Sequence, residues 1–194
     1  MMKIAILGWG SLLWDHRNEF DEHHECWLYD GPSLKLEFSR VSQSRSDALT
    51  LVLDSHNGSS CVVAYAISKR KVPDDAICDL RCREGTILNK IGFYFADGTR
   101  RQSRDDESFE SIRAWAAEKE IEVAIWTDLG SNFQDKSRGH MSFSVENAIS
   151  HIQALDAEGK VKAAEYVWRS PQFVDTPLRV ALQSQPWFRP LQLG

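Results

Sequence analysis

Lys3-Ile4-Ala5-Ile6-Leu7-Gly8-Trp9-Gly10-Ser11-Leu12-Leu13 decides how this chain is read. Residues suited to a buried strand run into two glycines bracketing one aromatic ring, and the apolar run then resumes. Glycine permits tight turns and close backbone approach, so the stretch predicts a first strand, Lys3 to Leu7, that ends in a compact loop. The pattern is not GxGxxG and no Walker lysine follows, so a nucleotide-binding fold is not supported.

Working outward, Leu34, Leu36 and Phe38 alternate with Lys35, Glu37 and Ser39. That is the period of a half-buried strand, with Glu37 pointing away from the face of its apolar neighbours. Leu49, Leu51 and Leu53 alternate in the same way, and His56-Asn57-Gly58-Ser59 supplies turn chemistry before the run Cys61 to Ile67, which together predict an antiparallel meander. Pro73-Asp74-Asp75 starts a helix that Gly85 stops. Further strands are expected at Ile91 to Phe95 and Ile121 to Thr127, flanking a helix from about Asp105 to Lys119. After the polar stretch Gly130 to Gly139, read either as a surface connection or as a lid, the spacing turns helical through Val145, Ile149 and Ile152 and through Val161, Ala164 and Trp168. Thr176-Pro177 caps one last short helix.

Strands first, one helix between them and helices last give an α+β class, without the strand-helix alternation of a doubly wound sheet. The expected organisation is an α+β core over residues 1–128, followed by a loop and helical extension over 129–194 packed on it. The 194 residues carry 28 acidic and 23 basic side chains, for a net charge of −5. That balance argues against nucleic acid as a partner. The apolar run Ile4 to Trp14 is far shorter than the roughly 20 residues of a membrane span. It also lacks the flanks of a signal peptide. Four cysteines, Cys26, Cys61, Cys78 and Cys82, are too sparse for a disulfide framework, so the expected compartment is the cytoplasm.

Two places carry candidate chemistry. Backbone N–H groups of the Gly8-Trp9-Gly10-Ser11 loop can converge on an anion such as a carboxylate; the alternative is a tight turn packed by Trp9 and Trp14. In Arg81-Cys82-Arg83-Glu84-Gly85, a desolvated Glu84 at a helix end suits a general base, against the alternative of a solvated helix end with its arginines on the surface. His23, His24 and Cys26, with Cys78 and Cys82 four apart on a helix, match no common zinc signature, so no metal site is assigned. Ser11 with His140 or His151 lacks the elbow sequence of a serine hydrolase.

In this order the two signals resemble the gamma-glutamylcyclotransferase-like family. Leu7-Gly8-Trp9-Gly10-Ser11-Leu12-Leu13 resembles the aromatic-Gly-Ser loop after the family's first strand, and Arg83-Glu84-Gly85 resembles the segment of its catalytic glutamate. The resemblance spans roughly the first half of the chain. It implies a mixed, largely antiparallel barrel-like sheet with flanking helices, and a small γ-glutamyl compound as the partner. The substrate's own α-amine would attack its γ-carbonyl, releasing 5-oxoproline. Glu84 would be the catalytic acid/base, and Gly8, Trp9, Gly10, Ser11 and Leu12 would form the substrate-binding loop, with no cofactor. The family's usual Tyr-Gly-Ser-Asn is replaced here by Trp9-Gly10-Ser11-Leu12, which removes a phenol and an amide from the pocket. Many relatives carry a tyrosine soon after the glutamate, and Tyr94 is the nearest candidate. The alternative is a non-catalytic small-molecule-binding or regulatory protein on the same scaffold, with Glu84 in a structural ion pair.

Overall fold

A computed structural model describes residues 2–189. Within them the chain is α+β, with seven α-helices and two open sheets, neither of which closes into a barrel. It divides into two compact units: the chain through Leu34 together with Val62–Leu129, and Lys35–Cys61 together with the chain from Gly130 onward.

The first unit holds a five-stranded mixed sheet. Its first strand, β1 (Ile4–Gly8), lies between two later strands, β5 (Ala64–Ile67), antiparallel to it, and β8 (Val123–Thr127), parallel to it. Strands β6 (Ile91–Phe95) and β7 (Arg101–Gln102) complete the order β5-β1-β8-β6-β7. Helix α1 (Asn18–Asp21) follows the glycine loop, α2 (Pro73–Glu84) links β5 to β6, and α3 (Asp106–Glu118) precedes β8. Ile4, Ile6, Leu12, Phe20, Ala76, Ile77, Leu80, Phe93, Val123 and Ile125 form one continuous buried cluster. Helix α2 contributes Ala76, Ile77 and Leu80 to it, so the apolar stripe of that helix fixes where its last turn ends up.

The second unit holds a three-stranded sheet in the order β3-β2-β4, from β2 (Ser33–Ser42), β3 (Ala48–Leu53) and β4 (Ser59–Val62). Here the expected meander fails. Strands β2 and β3 form an antiparallel hairpin, but the chain after β3 crosses to the other edge of β2. Asp54 organises the crossing by accepting from His56 N–H, Asn57 N–H, the Asn57 side chain and the Ser39 hydroxyl. Gly58 passes so close that an added Cβ would lie 2.4 Å from Asp54 O and 2.8 Å from Leu36 N. The run Cys61 to Ile67 is likewise two strands in different sheets, divided at Val63.

Helices α4 (Phe133–Lys136), α5 (Val145–Ala154), α6 (Ala157–Arg169) and α7 (Pro177–Gln183) complete this unit, with α6 packed on β3 and α5 against both α6 and α7. Segment Lys35–Cys61, assigned from sequence to the 1–128 core, therefore groups with the C-terminal helices; strand periodicity reports that a face is covered but not by what. Gly130 to Gly139 is a largely exposed connection pinned at a few points. Phe133 is fully buried, and the Asn132 side chain pairs with both N–H and C=O of Val41.

Candidate functional site

Strand β1 ends at Gly8, where only glycine fits because Trp27 occupies the space a side chain would need: a Cβ there would lie 2.6 Å from its ring. Trp9 is extended, Gly10 has φ of +59°, and residues Gly10–Leu13 form one 3-10 turn closed by Trp14 N–H and Asp15 N–H, both donating to Ser11 O at 3.3 and 2.9 Å. The left-handed φ makes glycine the fitting residue at position 10. Trp9 and Leu12 are 8% and 5% exposed, so both side chains belong to the core. What Gly8, Trp9, Gly10 and Leu12 can present to a ligand is backbone, while Ser11 is part-exposed. N–H groups at the opening of a helical turn point the same way along its axis.

Glu84 is the last residue of α2. Gly85, at φ of +57°, terminates the helix, with its N–H on Cys82 O and that of Thr86 on Arg81 O. The Glu84 side chain is 20% exposed, and its Oε1 lies 3.9 Å from Arg83 Nη1. Arg83 is the residue that sequence reasoning missed. Expected at the surface, it is buried, and its Nη2 donates to Ser11 O at 3.2 Å and Asp15 O at 2.8 Å. Burial lowers its pKa, while the Glu84 and Asp15 charges pull it back up. One buried guanidinium therefore joins the last turn of α2, which carries Glu84, to the 3-10 turn of the glycine loop. No local sequence signal marks it, because its partners lie about seventy positions away.

A cleft of about 510 Å³ opens between α1 and α2, lined by Arg17, Phe20, His23, Arg70, Asp79 and Arg83 among others. Arg70 and Asp79 satisfy each other there through two hydrogen bonds of 2.7 and 3.0 Å. Neither Glu84 nor Gly8 to Leu12 lines this cleft; Arg83, which does, also reaches Ser11 O.

The other candidates settle into structural roles. His24 is buried between the rings of Phe20 and Trp27, and no cluster of three or more metal-ligating side chains occurs among the described residues. His151 is buried, which lowers its pKa; its Nδ1 accepts from Arg138 N–H and its Nε2 faces Asp47 O, so both ring nitrogens are engaged. Tyr94 packs edge-on against Phe109 in the core. Asp128, at the end of β8, is raised by burial and accepts from Arg104 N–H and Trp126 Nε1, anchoring the segment before α3.

Glu37 corrects the alternation reading most sharply. It is completely buried rather than solvated, and burial pushes its pKa up to about 7 against the opposing Thr176, Phe38 and Leu178 hydrogen bonds. Its carboxylate accepts from Phe38 N–H at 2.7 Å and from Leu178 N–H at 3.3 Å.

Comparison of the chain with protein-family models, with curated proteins and with solved structures finds no match.

Proposed function

We propose that this protein is a gamma-glutamylcyclotransferase-like enzyme, with the fold of that family, that cleaves a γ-glutamyl amide and releases 5-oxoproline. The observation that supports this reading is the Arg83 bridge, because it puts the turn bearing Glu84 and the glycine turn under one anchor within one compact unit. On this reading the N–H groups opening the 3-10 turn hold the carboxylate of the γ-glutamyl group. The substrate's α-amine then lies within reach of its own γ-carbonyl, and an intramolecular attack needs orientation more than activation. Glu84 takes the amine proton as the ring closes and delivers it to the leaving nitrogen. The test is 5-oxoproline release from a panel of γ-glutamyl amides, with the expected outcome that at least one is turned over.

The Arg83–Glu84 approach favours a second reading, in which Glu84 completes a structural ion pair and the fold binds a small molecule without transforming it. Binding of γ-glutamyl compounds in calorimetry with no 5-oxoproline formed supports that alternative.

A further inference from the structure

Helix α2 displays two exposed thiols, one of which, Cys82, also lines the cleft between α1 and α2. Cys78 and Cys82 are both exposed, their sulfurs are 3.9 Å apart, and Arg81 Nη2 lies 3.6 and 3.8 Å from them. We propose that Cys78 and Cys82 form a dithiol site for a neutral trivalent metalloid hydroxide of the arsenite class, which bridges the two sulfurs.

Geometry decides between this and an intrahelical disulfide. Side chains four apart on a helix keep their Cβ atoms about 5 to 6 Å apart, whereas a disulfide needs roughly 3.5 to 4.5 Å. Closure would have to draw in the last turn of α2. That turn is held by Gly85 N–H on Cys82 O and by Arg83 on Ser11 O and Asp15 O. A single soft atom with bonds to sulfur of about 2.3 Å at near-tetrahedral geometry spans about 3.8 Å between two sulfurs. The pair is at nearly that spacing already, so bridging requires small side-chain rotations and no change of backbone.

Charge selects among soft partners. The Arg81 guanidinium beside both sulfurs repels an incoming cation, and no third metal-ligating side chain joins the pair among the described residues. An uncharged trivalent metalloid meets neither obstacle. In the reaction two As–O bonds are exchanged for two As–S bonds. The two thiol protons leave with the displaced hydroxides as two waters, and neither arsenic nor sulfur changes oxidation state.

Phenylarsine oxide is a suitable probe, because it joins two thiols with loss of one water. Intact-mass measurement of the whole protein should show one phenylarsine adduct that survives excess 2-mercaptoethanol and is removed by 2,3-dimercaptopropanol. Chelation favours the two-point adduct by roughly 10²-fold or more over a one-point one, so Cys78→Ser and Cys82→Ser should each lose this resistance, while Cys26→Ser keeps it. Both positions are solvent-exposed on α2, and far-UV circular dichroism checks that the serine variants remain folded. Survival of the adduct in either variant, its absence from the wild type, or ready closure of a Cys78–Cys82 disulfide by hydrogen peroxide would overturn the proposal.

Discussion

Glu37 is the residue at which alternation misleads. The period of two along Leu34 to Ser39 is real, yet it identifies a solvated face only if nothing packs on that face. Strand β2 is the central strand of its sheet, and the start of α7 supplies the Leu178 N–H and the Thr176 hydroxyl to Glu37. The consequence is a pH dependence whose sign follows from the raised pKa. Between about 4.5 in the unfolded chain and about 7 in the native one, the folded protein holds the proton more tightly. Stability attributable to Glu37 is therefore highest below that window and falls as pH rises through it, by about 3 kcal/mol in all. In urea denaturation from pH 5 to 8, Glu37→Gln, which keeps an acceptor and cannot ionise, should lose this contribution, leaving the opposite trend of buried His151 unopposed by it. An unchanged slope in the variant would assign the dependence to other groups.

Gly10 and Gly85 are the opposite case, since both were legible. Each holds a positive φ, and a Cβ at Gly85 would meet nothing within 4 Å. Gly85→Ala should therefore cost only the conformational penalty, about 1 kcal/mol, in chemical denaturation.

At the scale of the element, α2 was readable almost to its ends. Pro73 occupies its first turn, Asp74 and Asp75 follow at the positive pole, and Gly85 is the C-cap. Leu80 is fully buried in the cluster beneath that helix. Leu80→Ala should destabilise by about 2 to 5 kcal/mol, read as a lowered denaturation midpoint. What could not be read is the job of Arg83, because a guanidinium at a helix end is equally consistent with solvent or with a long-range carbonyl pair. Arg83→Met preserves the aliphatic stem and removes both carbonyl contacts. Backbone amide exchange should then accelerate in the Gly10–Leu13 turn and the last turn of α2 while the rest of the first unit is unaffected. Unchanged protection at both turns would mean that Arg83 does not couple them.

For the whole molecule, the order of strands and helices was legible because periodicity and punctuation are local, whereas sheet membership was not. Strands β4 and β5 are separated only by Val63, yet they belong to different sheets, and β2 to β4 group with helices more than seventy residues downstream. Strand pairing is long-range, and no short window of sequence carries it. The glycine turn and Glu84 each sit at a local chain break, and only their resemblance, taken together, to one family's two motifs marks them as a site; that Arg83 ties one break to the other is a tertiary fact. The proposed chemistry uses one proton-transfer group and an intramolecular nucleophile, so treatment with a chelator should leave 5-oxoproline release unchanged.

The proposed role of Glu84 in proton transfer is tested most directly by the turnover of Glu84→Gln on an active γ-glutamyl substrate. The exposed Glu118→Gln on α3 serves as control, since Glu37 is buried and unfit for that purpose. Glu84→Gln should lose roughly 10² to 10⁴ in kcat, with substrate binding in calorimetry largely retained and the control unaffected. Turnover of Glu84→Gln within a few-fold of wild type would contradict it and leave Glu84 as the partner of Arg83 in a structural ion pair.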